Sequence, residues 1–70
     1  MDAPPPGYTE PVVVCLVEET NEAGETRQVG GFFSVEEATT LLWRVLRQGR
    51  DAHLNYVAIH HRVVDWEWDR

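Results

Sequence analysis

The segment Val12-Val13-Val14-Cys15-Leu16-Val17 is apolar at every position, and that run constrains the fold more than anything else in the chain. Its β-branched side chains fit a pleated surface, so a strand is expected over Pro11 to Glu18. Successive strand residues point to opposite faces, so an unbroken apolar run places hydrocarbon on both faces. Such a strand belongs at the centre of a sheet, with cover on each side.

The surrounding sequence supplies the rest of an α+β domain of order β-β-α-β. Glu19-Thr20-Asn21-Glu22-Ala23-Gly24-Glu25 is polar and carries Asn and Gly, which turns the chain. A second strand is expected from Thr26 to Phe33, with Gly30-Gly31 marking a bulge or a close backbone approach. Ser34-Val35-Glu36-Glu37 reads as a capping box, in which the Ser34 hydroxyl accepts from the Glu37 amide and the Glu37 carboxylate reaches back. Phe33 is placed to staple onto Ala38. Val35, Ala38, Leu41, Leu42, Val45 and Leu46 recur at helical spacing, with Trp43 at the edge of the stripe. Arg44 and Arg47 suit the negative pole of this helix, and Gly49 suits its stop.

From Leu54 to Trp68 there is neither Gly nor Pro, and Tyr, Val, Ile and Trp are frequent, so the segment reads as one long final strand, bent or split in two near His60-His61-Arg62. The expected architecture is an antiparallel three-stranded sheet with one helix packed on one face. Residues 1–9, with Pro4-Pro5-Pro6, read as a flexible proline-rich arm, and residues 10–70 as the domain.

Seventy residues bury only about 60% of the surface exposed by the unfolded chain, so the core is thin. Domains of this size are commonly reinforced by disulfides, metals or association. Cys15 is the only cysteine, which excludes an internal disulfide, and paired Cys/His metal spacings are absent. Association is left. One helix covers one sheet face, yet the first strand is apolar on both, and a long free edge invites another chain. A homodimer, or a dedicated protein partner, is therefore expected. Tyr56, Trp66, Trp68 and Trp43 are the anchors, with the last two tryptophans alternating with Asp65, Glu67 and Asp69 on a one-sided face.

The net charge of -6, from twelve acids and six arginines, disfavours direct binding of nucleic acid or of an anionic membrane. No basic, apolar leader opens the sequence and no stretch approaches a membrane span, so a cytoplasmic location is expected.

Chemical candidates are sparse. His53, His60 and His61, with Asp51 and Asp65, offer a metal or acid-base site only if several converge, and a regular strand sends His60 and His61 to opposite faces. Polar residues at a bend explain them as well. Cys15 lies in the most apolar run, where a thiol behaves as a small hydrophobe, and Ser34 is explained by capping. Gly30-Gly31 lacks the Lys and spacing of a phosphate loop. Pro5-Pro6-Gly7-Tyr8 has the form of a polyproline ligand for WW domains, but four residues in a proline-rich arm match easily by chance. The acids around the hairpin and near Trp66 and Trp68 allow a nucleic-acid mimic that inhibits a basic protein, or else a solvated rim. The function expected is a non-enzymatic interaction or regulatory module without a cofactor. The acidic mimic and a small His/Asp metal-site enzyme are the alternatives.

Overall fold

The computed structural model describes residues 2–70. Met1, the first residue of the proline-rich arm, lies outside them. The elements are β1 (Val12–Thr20), β2 (Thr26–Phe32), α1 (Val35–Arg47), β3 (Asp51–Ile59) and α2 (Val63–Asp69). The three strands form an antiparallel sheet in the order β2-β1-β3, so the apolar β1 holds the central place.

The β1–β2 turn is organised by Asn21. Its side-chain oxygen accepts from the amides of Ala23 at 3.0 Å and Glu25 at 2.9 Å, and Gly24 takes the left-handed conformation with φ 83°. Between Val17 and Glu18 the register to β2 shifts, leaving Val29 as the extra residue of a bulge. Gly30 lies on the α1 side, where a Cβ would stand 2.8 Å from Leu41 Cδ2. The glycine therefore permits the helix to approach, and Leu41 occupies the space.

Ser34 caps α1 by accepting from the Glu37 amide at 3.3 Å. The reciprocal half differs from expectation: Glu36, rather than Glu37, answers the cap, its carboxylate accepting from the Ser34 hydroxyl at 3.0 Å. The Phe33 staple does not form, because Phe33 is exposed while Phe32 turns inward onto the core. Gly49, at φ 78°, follows the helix end.

The core is small. Cys15, Val17 and Ala38 form a buried cluster, with Val29, Phe32, Leu41, Leu42 and Leu54 packed around it. Cys15, at 2% exposure, sits there as an apolar residue.

The segment from Leu54 to Trp68 is corrected. β3 starts earlier, at Asp51, and ends at Ile59, and Val63–Asp69 is a second helix rather than strand. Over so few residues, alternation and helical spacing describe the same letters. Val64 and Trp68 are four apart, as are Asp65 and Asp69, so each pair lines one side of a helix. The bend at His60-His61-Arg62 is the boundary.

Removing the cap by Ser34→Ala is expected to cost about 1 kcal/mol, which lowers the thermal midpoint by about 4–8 °C in a domain of this size. Gly30→Val is expected to cost about 1–3 kcal/mol by overpacking against Leu41. Calorimetry on both variants checks the two values.

Candidate interaction surface

Alternation along the strands sorts the sheet into two faces. On the α1 side lie Val13, Cys15 and Val17 of β1 with Leu54, Tyr56 and Ala58 of β3. On the other side lie Val12, Val14 and Leu16 with Asn55, Val57 and Ile59. α1 has thirteen residues and so spans about 20 Å, whereas the nine-residue β1 and β3 span about 30 Å. The helix covers the Cys15–Val17 end and leaves the Val12–Val14 end bare.

The sequence-derived anchors stand in this exposed region and on the helices. Trp43 is 58% exposed, Tyr56 56%, Trp66 45% and Trp68 40%. They do not share one face. Because residues 63–69 are helical, Trp66 and Trp68 point in different directions, which corrects the one-sided face expected from alternation. Trp66 borders a cleft of about 370 Å³ with Pro11, Ala58 and His60, whereas Trp68 lies with Val64 against Ala3 and Pro5 of the arm.

α2 is held to the arm by polar contacts that no sequence pattern indicates. The Arg62 guanidinium grips Asp65 with two hydrogen bonds, Nε to Oδ2 at 3.1 Å and Nη2 to Oδ1 at 2.8 Å. Nη2 also donates to the Pro6 carbonyl at 2.9 Å. Asp65 is fully buried, and Arg62 holds its carboxyl below the ordinary carboxylate range. The Tyr8 hydroxyl donates to Asp69, which also faces His60 Nε2 at 3.3 Å. That hydrogen bond, assisted by burial and by the Asp69 charge, pushes the Tyr8 hydroxyl up to about 12. The tyrosine of the Pro-Pro-Gly-Tyr segment is thus occupied within the chain.

At the opposite end, Glu19 accepts from both Arg50 and Arg27, which hold its carboxyl below the ordinary carboxylate range, and Glu18 meets His53 Nε2 at 3.0 Å. Four of the crowded acids, Glu18, Glu19, Asp65 and Asp69, therefore have partners. The histidines do not come together as a site: His53 is in the Glu18 pair at one end of the sheet, His60 in the Asp69 pair at the other, and His61 follows His60 in the bend. No three of His, Cys, Asp and Glu converge as metal ligands among the described residues. No described helix is long and apolar enough to cross a membrane.

No family model matches the chain, and neither a curated protein nor a solved structure shows detectable similarity to it.

Tyr8 is raised, so its contribution to stability is fully present below the ordinary tyrosine value and is lost as pH climbs through about 12. Tyrosinate absorbance in a Tyr56→Phe background is expected to place the Tyr8 step near 12, and Asp69→Asn to bring it down toward the ordinary value. Asp65 has the opposite sign: its contribution is present above the ordinary carboxylate range and is lost as pH falls through its lowered value.

Proposed function

We propose that this chain is a non-enzymatic protein-interaction or regulatory module that self-associates through the bare end of the sheet and the last part of the chain. Tyr56, Trp43, Trp66 and Trp68 supply the apolar contacts. The observation that carries the reading is surface area. The chain exposes 5369 Å², against about 4,500 Å² for a folded monomer of 8.0 kDa. The excess, about 900 Å², is close to the roughly 800 Å² that each partner buries in a standard interface.

Shape supports the same reading. The radius of gyration is 16.0 Å, against about 11 Å for a compact domain of this length, and the longest extent is 50 Å. Among the described residues only Cys15, Val17, Ala38 and Val45 are buried apolar residues, while twelve large hydrophobics are exposed. A core so small leaves burial to be gained by association.

The charge pattern favours this reading over an acidic mimic, because the paired acids are engaged inside the chain and do not form a free array of carboxylates. The separate pairing of His53 and His60 likewise favours a binding role over acid-base chemistry.

Light scattering across a concentration series is expected to give a mass near twice 8.0 kDa, falling on dilution. Tyr56→Ala is expected to weaken the dimer by about tenfold or more, with the circular dichroism of the dilute protein unchanged. A mass of one chain at every concentration would overturn the reading.

A further inference from the structure

The sheet has two edges, and they are built differently. β2 is the defended one. It is seven residues long, carries the bulge and the Gly30-Gly31 pair, and presents Arg27. Bulges, short length and charge are the usual means of keeping another strand off an edge. β3 has none of these defences at its centre. It runs nine residues, Asp51–Ile59, without Pro, Gly, Lys or Arg, and its register to β1 is unbroken. Its outer backbone groups have no strand beside them, since β3 ends the order β2-β1-β3.

We infer that β3 pairs antiparallel with β3 of a second copy about a two-fold axis at Asn55, giving a six-stranded sheet in which α2 of each chain lies against the last turn of its partner's α1. The inference rests on the self-association proposed above and assigns its geometry. A strand that pairs with its own copy across a two-fold axis forms a closed, self-complementary interface. Centring the axis on Asn55 uses the whole length of β3 and sets Asp51 opposite the partner's Ile59.

Charge selects this arrangement. One end of β3 follows Arg44 and Arg47 and begins at Asp51; the other leads into His60-His61-Arg62 and then into α2 with Glu67. Antiparallel pairing brings each end beside the opposite end of the partner. Asp51 then lies beside the partner's bend, where His61 forms no ion pair among the described residues. Arg44 and Arg47 are exposed and form no ion pair among the described residues, and neither does Glu67. Pairing sets these arginines beside the partner's Glu67, whose carboxylate suits the positive patch that the free arginines leave.

Position agrees with charge. Trp66 shares its cleft with Ala58, which lies on the α1 side of the sheet, so α2 is displaced toward that side. A two-fold axis normal to the sheet keeps both copies of α1 on the same side. α2 starts four residues after Ile59 and α1 ends four residues before Asp51, so both reach the paired ends through equally short links.

A residue on a two-fold axis meets itself, and opposed Cα atoms of an antiparallel pair lie within disulfide range. The test is Asn55→Cys exposed to oxidised glutathione, with Gln28→Cys on the defended β2 and the unmodified chain as controls, Cys15 being buried. The expected result is a disulfide-linked dimer forming about tenfold faster or more from Asn55→Cys than from Gln28→Cys. Light scattering accompanies each sample. A dimer that Asn55→Cys does not link would overturn the β3 pairing and leave self-association standing. A monomer at all concentrations would overturn both.

Discussion

Val17 and Ala38 are both wholly shielded from solvent, and the seating of α1 on β1 at this point determines what the remaining residues can do. Gly30 lets the helix come close, and Leu41 takes the space a side chain would have filled. The bulge beside it bends β2 at the same level. With the helix placed there, its thirteen residues run out before the sheet does. The bare end at Val12–Val14 and Tyr56–Ile59 follows from helix length and seat, and it is also where the chain places α2.

That second part is secured by different physics. α1 is held by apolar burial, whereas α2 and the arm are joined by the Arg62–Asp65 fork, the Arg62 bond to Pro6 and the Tyr8–Asp69 bond. A buried carboxylate is tolerated only with its partner in place, so Arg62 and Asp65 must be formed together. Such contacts fix direction rather than supply large net stability. They aim α2 while leaving Trp66, Trp68 and Val63 available at the surface.

The parts of this fold readable from sequence were those with local, redundant signals. β1 has six consecutive apolar residues, the first turn has Asn21 and Gly24, and α1 has a cap, a stripe and a stop, each reinforcing the same assignment. α2 has seven residues, too few for helical spacing to separate from alternation, and no Gly or Pro punctuates its start. Its Arg62 and Asp65 stood three apart, a helical spacing, but one such pair is weak. Attachment of the arm had no local signal at all, because Tyr8 and Asp69 are 61 residues apart. Tyr56, Trp43, Trp66 and Trp68 were found by residue type; their directions depended on the helix that sequence spacing did not resolve.

The contrast between the two sheet edges is the remaining step. A chain under pressure only to stay apart from its neighbours would defend both edges, and the bulge, glycines and arginine of β2 show what such a defence consists of here. β3 instead combines an unbroken register with Tyr56 and Ala58 on one face and Val57 and Ile59 on the other, all exposed. Capping that edge with a second copy satisfies backbone groups and shields side chains in one event, and antiparallel pairing sets the free Arg44 and Arg47 beside the partner's Glu67 rather than beside their own copies. One defended edge and one open edge also limit growth: two copies can join through β3, and the defended β2 then forms both outer edges of the six-stranded sheet.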